Sequence, residues 1–145
     1  MKYTVSNWDE VNAIICEQLG WVEVDNNYVP SDYVNYPSKW LIQHDFHSLG
    51  YDIPQFTHKW DDMGLLIKES NKNNIEYNLE STFLDSSCEL YLPSVNCIYV
   101  NSDNENLPNS LPLMVVIAYL KFMNIKLEGE LKYMNTNINL TEIFN

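Results

Sequence analysis

At 145 residues, with 46% hydrophobic and 19% charged residues, the chain has the size and composition of one globular domain, which excludes a largely disordered chain. It carries 20 Asp and Glu residues against 8 basic residues, all of them Lys, and its formal net charge is −12. Because arginine supplies the fork with which proteins grip phosphates and base edges, its absence disfavours direct binding to DNA or RNA, whereas the acidic balance favours a basic protein partner or serves solubility alone.

The first predicted elements are a capped helix and a short strand. The helix is predicted over about residues 7–19, with Ser6 as its N-cap, apolar residues at helical spacing, and Gly20 just beyond its end. Alternation then predicts a strand at 21–24 that turns back toward Tyr28 as a small hairpin.

A long loop and a second helix follow. Prolines interrupt residues 30–55, which predicts a loop containing short pieces of structure. Thr57 is the predicted cap of a helix over about 57–70. Its buried face is predicted to carry Trp60, Met63, Gly64 and Ile67, and its water-facing side Asp61, Asp62, Lys68 and Glu69.

The clearest strand signal is the alternation at 75–83, which places Phe83 on the core face with the other odd-numbered positions. Two further alternating segments, 88–92 and 95–100, flank a Pro-Ser pair. Successive strands with short links pair in antiparallel fashion, so these segments predict a meander.

The last segments complete the predicted architecture. A third helix is predicted over 110–123, and its near-continuous apolar run indicates burial on more than one side. Residues 125–133 alternate again, and 134–145 form an Asn-rich tail to which no structure is assigned. We therefore predict one α+β domain with an antiparallel sheet of about four to six strands flanked by about three α-helices. Its core is predicted over about 7–123, with a C-terminal extension at 124–145.

The start of the chain and its cysteines indicate the compartment. No apolar run follows Lys2, and none approaches about eighteen residues, so we expect no signal peptide, no membrane span and a cytoplasmic location. Cys16, Cys88 and Cys97 are odd in number and lack a CxxC spacing. That pattern fits buried free thiols better than a disulfide or zinc framework.

Residues with catalytic or metal-binding potential are few. His44 and His47, with a carboxylate between them, offer a transition metal only an incomplete site. His58 with Asp61 and Asp62 offers an acid–base pair, although such a group is more often the solvated first turn of a helix. No GxSxG, P-loop or GxGxxG motif occurs. We therefore predict no enzymatic activity, no metal and no cofactor.

The most distinctive segment runs from 28 to 56, where Tyr and Trp are interleaved with aspartates. Tyr and Trp are enriched at interface hot spots, and acidic neighbours complement a basic partner. The alternative is that this segment folds back over the sheet, although long loops in small domains are disproportionately functional. The predicted partner-binding residues are Tyr28, Asp32, Tyr33, Tyr36, Trp40, Asp45, Tyr51 and Asp52.

Three segments carry a family resemblance: IICEQLGW at 14–21, IPQFTHKW at 53–60 and LPLMVVIAYLK at 111–121. In these segments the chain resembles the phage ABA sandwich domain family of small bacteriophage and prophage proteins. The resemblance implies an antiparallel sheet flanked by helices and a phage origin, and it carries over no catalytic residue. The chain departs from the family pattern by a long insert near 30–52 and by its tail after 124.

Charge, aromatic segment and resemblance together predict a non-enzymatic phage or mobile-element accessory protein acting in the host cytoplasm. The leading hypothesis is an inhibitor of a host defence component, such as a CRISPR effector, whose basic nucleic-acid channel the acidic surface occupies. Two alternatives stay open: a sponge that sequesters a nucleotide signal, and an immunity protein that neutralises a toxin. The predicted partner is a host protein with a basic surface, without direct nucleic-acid or membrane binding.

Overall fold

A computed structural model of the chain describes residues 1–23, 40–42, 53–93 and 95–145. The fold is mixed α+β, which confirms the predicted class. In chain order the elements are β1 (Lys2–Thr4), α1 (Trp8–Gln18), β2 (Trp21–Glu23), β3 (Trp40–Ile42), α2 (Trp60–Asn71), β4 (Glu76–Ser81), β5 (Ser86–Leu92), β6 (Val95–Asn101), α3 (Leu111–Phe122), β7 (Lys126–Glu128), β8 (Glu130–Tyr133), β9 (Thr136–Asn139) and α4 (Leu140–Ile143).

The described strands divide among four small sheets. β4, β5 and β6 form a three-stranded antiparallel sheet in that order, which confirms the predicted meander. β8 and β9 form an antiparallel pair, and β1 pairs in parallel with β7. The largest sheet of the described residues therefore has three strands, fewer than predicted, because the remaining strands pair separately.

The strand predicted at 21–24 is confirmed as β2. Its described partner is β3, with Trp21 opposite Ile42 and Glu23 opposite Trp40 in antiparallel register. Tyr28, toward which the predicted hairpin turned, lies outside the described residues. β3 also confirms that the loop predicted over 30–55 contains a short piece of structure.

α1 begins one residue later than predicted, because its cap is Asn7 and not Ser6. The Asn7 side chain accepts a hydrogen bond from the Glu10 amide at 2.9 Å, and the Glu10 carboxylate accepts one from the Ser6 amide at 2.8 Å. These bonds satisfy amides that a helix start leaves unpaired. Gly20 ends the helix at a φ of 80°, in the left-handed region that glycine adopts without a steric penalty.

α2 differs from its prediction in both its start and its buried face. Its N-cap is Lys59, without a side-chain hydrogen bond, so Thr57 is not the cap. Trp60, predicted to be buried, is 58% exposed, and Glu69, predicted to face water, is buried and paired with Lys72 at 2.9 Å. Contact with α3 selects this face of the helix. The buried residues are Met63, Leu66, Glu69 and Ser70.

α3 is the centre of the core. The Ser110 side chain caps it by accepting a hydrogen bond from the Leu113 amide, and every residue from 111 to 120 is buried. The helix packs on the three-stranded sheet and on α2, which confirms the predicted burial on more than one side. Within the described ranges, no helix combines the length and the apolar composition needed to cross a membrane.

The tail at 134–145, to which no structure was assigned, forms β9 and α4. Ile138, Leu140 and Phe144 are buried, so the core extends well beyond the predicted limit at 123. The Asn139 side chain caps α4 by accepting a hydrogen bond from the Glu142 amide at 3.3 Å. The apolar residues of the tail are too sparse among asparagines to show a helical or strand period.

Candidate functional site

The predicted partner-binding residues are the first candidates for a site. Trp40 contributes its backbone to β3, and the other seven lie outside the described residues: Tyr28, Asp32, Tyr33, Tyr36, Asp45, Tyr51 and Asp52. His44 and His47 also lie outside them. These assignments stay predictions. At the end of the aromatic segment, Phe56 is fully buried and contacts the Trp21 ring edge-on at a centroid distance of 6.3 Å, so this end of the segment belongs to the core.

A different acidic and aromatic surface lies on the three-stranded sheet. Side chains alternate between the two sides of a strand, and α3 covers one side of this sheet. On the other side, Glu76 lies opposite Tyr91, and Glu89 lies between Asn78 and Tyr99. We call this side the acidic sheet face. Its residues are Glu76, Asn78, Glu80, Glu89, Tyr91, Cys97 and Tyr99.

The charge of this region is uniform. Between positions 73 and 120 the sequence contains six acidic residues and no lysine: Glu76, Glu80, Asp85, Glu89, Asp103 and Glu105. The ion pairs of the described residues join Lys2 to Glu128, Lys72 to Glu69 and Lys121 to Glu105. None of them neutralises a glutamate of the acidic sheet face. The absence of lysine between 73 and 120 is visible in the sequence. The sequence-based prediction nevertheless placed the distinctive acidic residues in the segment from 28 to 56.

Two titratable groups on the acidic sheet face, Tyr91 and Cys97, have raised pKa values. The charge of Glu76, and then the hydrogen bond that its carboxylate accepts, raise the pKa of Tyr91. Desolvation, followed by a hydrogen bond to Glu89, raises the pKa of the Cys97 thiol. Both groups therefore stay neutral near pH 7.

The three cysteines are free, as predicted, and two of them are buried. Burial raises the pKa of Cys16 to about 12 and that of Cys88 further. Cys97 is exposed, contrary to the prediction, because it lies on the outward side of β6. Since the thiolate is the reactive form, these raised pKa values disfavour a nucleophilic role for all three.

The turn between β4 and β5, residues 82–85, forms one end of the acidic sheet face, and we call it the hairpin tip. Phe83 is 97% exposed and Leu84 81% exposed. The prediction that Phe83 lies on the core face was wrong, because β4 ends at Ser81 and the chain reverses at Phe83 and Leu84, between the hydrogen-bonded residues Thr82 and Asp85. Two large apolar side chains thus stand in water next to an acidic surface.

Asn109 holds the hairpin tip from the loop that precedes α3. Its side-chain amide donates to the carbonyl oxygens of Thr82 at 3.2 Å and Phe83 at 3.3 Å. Its side-chain oxygen accepts a hydrogen bond from the buried Ser86 hydroxyl. One side chain therefore fixes two turn carbonyls and one strand residue.

A second group of hydrogen bonds closes the turn. The Asn101 amide donates to the Asp85 carboxylate at 2.9 Å, and the Thr82 hydroxyl accepts from the amides of Leu84 at 3.2 Å and Asp85 at 3.1 Å. The hydrogen bonds from Asn101 and Thr82 lower the pKa of Asp85. The carboxylate of the tip is therefore ionised at neutral pH.

His58 is the remaining titratable group that the sequence singled out. Its ring stacks on Tyr133 at a centroid distance of 4.5 Å and meets the edge of Trp8 at 5.8 Å. Its Nδ1 lies 2.6 Å from the Thr57 hydroxyl. Burial lowers the pKa of His58, and the charge of Asp9 opposes that shift. The imidazole is therefore held neutral by packing.

The sequence offered an acid–base pair of His58 with Asp61 or Asp62 only as the less frequent alternative, and the described residues do not form it. Asp62 accepts a hydrogen bond from the Gln55 amide at 2.7 Å, and within the described ranges no hydrogen bond joins His58 to Asp61 or Asp62. The described part of the chain also contains no group of three or more His, Cys, Asp and Glu side chains arranged to hold a metal ion.

Of the grooves on the described surface, two are relevant to ligand binding. One, of about 480 Å³, is polar and lies at the far end of the sheet, between Asn71, Asn74, Glu76 and Tyr91. The other, of about 270 Å³, is lined by Lys121, Lys126, Ile143 and Phe144. Only the second brings lysines together.

The chain matches no protein-family model, no curated protein and no solved structure. Its resemblance to the phage ABA sandwich family therefore stays a prediction.

Proposed function

We propose that this protein is a non-enzymatic accessory protein of a phage or mobile element that binds a basic surface of a host protein in the cytoplasm. One observation carries the proposal: within the described part of the chain, no lysine forms an ion pair with Glu76, Glu80 or Glu89 on the acidic sheet face. Tyr91 and Tyr99 stand among these carboxylates. Carboxylates complement lysine and arginine, and tyrosines supply contact area and hydrogen bonds at low entropic cost.

The arrangement of the carboxylates supports a partner that normally holds nucleic acid. Neighbouring strands lie about 4.8 Å apart, and residues four positions apart on one strand lie about 13 Å apart, so Glu76, Glu80 and Glu89 form a two-dimensional array of negative charge. The lysines and arginines of a nucleic-acid channel bind such an array in place of phosphates. The proposed target class is therefore a nucleic-acid-binding component of host defence, with a CRISPR effector as the example.

The proposal includes the architecture implied by the family resemblance, an antiparallel sheet flanked by helices. The packing of α3 on the inner side of the three-stranded sheet supports it. On the outer side of the sheet, Glu76, Glu80 and Tyr99 are exposed, and a partner reaches the sheet there.

The first test is a competition assay. Purified CRISPR effector complexes are incubated with a fluorescent target duplex and titrated with the protein, and duplex binding is read by gel mobility shift. We expect the protein to displace duplex from at least one effector, and we expect displacement to weaken when NaCl rises from about 0.1 M to about 0.4 M, because screening shortens the reach of charge. Failure to displace duplex from any effector would contradict the proposal.

Matched variants separate the face from net charge. E76Q/E80Q/E89Q removes three charges from the acidic sheet face. E17Q/E130Q/E142Q removes three charges from exposed glutamates elsewhere. We expect the first variant to lose about 10-fold or more in inhibition and the second to lose about 2-fold or less, because only the first changes the complementary surface. Equal losses would mean that net charge alone drives binding.

A second candidate function, sequestration of a nucleotide signal, is favoured by the groove between Lys121 and Lys126. Against it, Lys121 already lies 3.4 Å from the Glu105 carboxylate, and the net charge repels phosphates. Thermal-shift measurements with cyclic mono- and dinucleotides distinguish the two functions. Stabilisation that disappears in K126A would support sequestration, and no stabilisation is the result that our proposal predicts.

A further inference from the structure

Phe83 and Leu84 are the most exposed pair of large apolar side chains in the described part of the chain, at 97% and 81%. Single exposed apolar residues are common on protein surfaces. Two adjacent ones at the apex of a hairpin gain nothing from folding, because they are as exposed there as in an unfolded chain. We therefore expect these two side chains to contribute to binding and not to the stability of the fold.

The polar contacts of the hairpin tip fix the position of this pair. Asn109 and Asn101 reach the tip from outside the hairpin, and the Thr82 hydroxyl closes it from within. Asn101 itself is buried, so the support is anchored below the surface. A backbone held in this way adds little backbone-ordering cost on binding, which is the advantage of a preorganised contact.

The charge around the pair indicates what it contacts. Asp85 belongs to the tip, Glu80 precedes it on β4, and no lysine occurs from 73 to 120. An apolar centre inside an acidic rim complements an apolar pocket inside a basic rim. The same rim repels a second copy of this chain and an anionic membrane surface.

We infer that Phe83 and Leu84 form an apolar anchor that enters an apolar pocket bordered by lysine or arginine on the protein partner that the acidic sheet face binds. This inference rests on the proposed function and adds a division of roles. The glutamates accelerate encounter, and the anchor slows dissociation, because long-range charge acts mainly on association and desolvated apolar contacts act mainly on dissociation.

The test measures both rates on an immobilised CRISPR effector complex that the wild-type protein inhibits. The variants are F83S/L84S and, as an apolar control, M134S, since Met134 is 76% exposed at the turn between β8 and β9. We expect F83S/L84S to dissociate about 10-fold faster or more, with its association rate within about 2-fold of wild type. We expect M134S to match the wild type, and coincident thermal melts will establish that all variants are folded.

Other outcomes would contradict either the inferred anchor or the proposed function. If F83S/L84S dissociates like M134S while the wild type binds, the inference fails and the proposed function stands. If the wild type binds no effector, the proposed function fails and the inference falls with it. Concentration-dependent dimerisation in light scattering, or co-sedimentation with phosphatidylglycerol vesicles, that F83S/L84S abolishes would replace the inferred partner with a second copy or a membrane.

Discussion

α3 and the hairpin tip are both rich in large apolar residues, and they have opposite surroundings. Every residue from 111 to 120 is buried between the three-stranded sheet and α2, whereas Phe83 and Leu84 stand in water. Apolar packing fixes α3, and hydrogen bonds from Asn101 and Asn109 fix the tip. The difference shows that apolar sequence content alone does not identify the core. It also predicts that changes at α3 destabilise the fold, while changes at the tip affect binding.

The largest expected effect is at α3. Leu113→Ala removes a fully buried side chain and leaves a cavity in the core, so we expect the free energy of unfolding to fall by about 2–5 kcal/mol. Urea unfolding followed by far-UV circular dichroism measures it. A loss below about 1 kcal/mol would mean that α3 is not the centre of the core.

The next effect tests the C-terminal part of the core at Gly129, where two backbone segments approach closely. Gly129 has a φ of 131°, and a Cβ there would lie 2.5 Å from the Val5 carbonyl oxygen. We expect Gly129→Ala to lower the free energy of unfolding by about 1–3 kcal/mol.

Gly64→Ala is the matched control for that substitution. Gly64 is an exposed residue of α2, and a Cβ there meets no atom within 4 Å. Alanine in an open helical position raises stability by about 0.5–1 kcal/mol. If Gly129→Ala raises the free energy of unfolding as Gly64→Ala does, the β1–β7 contact does not constrain Gly129.

A smaller effect is expected where hydrogen bonds hold the tip. Asn109→Ala leaves the Thr82 and Phe83 carbonyls and the buried Ser86 hydroxyl without this partner. We expect a loss of about 1–2 kcal/mol in the free energy of unfolding and faster hydrogen exchange at the tip amides. F83S/L84S is expected to stay within about 0.5 kcal/mol of wild type. A larger loss of stability for F83S/L84S than for Asn109→Ala would mean that Phe83 and Leu84 belong to the core.

The smallest effect is a pH dependence at His58, which lies outside both regions. Burial lowers the pKa of His58 in the folded chain, so the unfolded chain binds more protons between that pKa and the ordinary value near about 6.5. This contribution to stability is complete above about pH 6.5 and is lost as pH falls through the folded pKa. The urea midpoint of the wild type should therefore fall more between about pH 7 and 5 than that of H58Q, and parallel profiles would exclude His58 as the cause.

Much of the fold was predictable where the signal is local. α1, the meander of β4, β5 and β6, and α3 follow from apolar periodicity that neighbouring residues determine, and α3 also from its Ser110 cap. The sequence contains no local pattern that predicts the parallel pairing of β1 with β7, because this pairing joins residues at opposite ends of the chain. The buried face of α2 was misassigned because contact with α3, which lies far along the chain, decides which of its sides is covered.

The candidate site was predictable only in part. The alternation at 75–83 indicated that Glu76 and Glu80 face water. It did not show that Glu89 and Tyr99 join them, since that depends on the register between strands. The position of Phe83 could not be read from alternation, because Asn109, outside the hairpin, supports the turn that ends the strand.

In the proposed complex, the acidic sheet face, and not net charge alone, binds the partner. The association rate with an inhibited effector tests this, measured against NaCl concentration for wild type, E76Q/E80Q/E89Q and E17Q/E130Q/E142Q. We predict that the first variant associates about 10-fold more slowly at low salt and with a flatter salt dependence, while the second stays within about 2-fold of wild type. Indistinguishable rates and salt slopes for the two variants would contradict the claim.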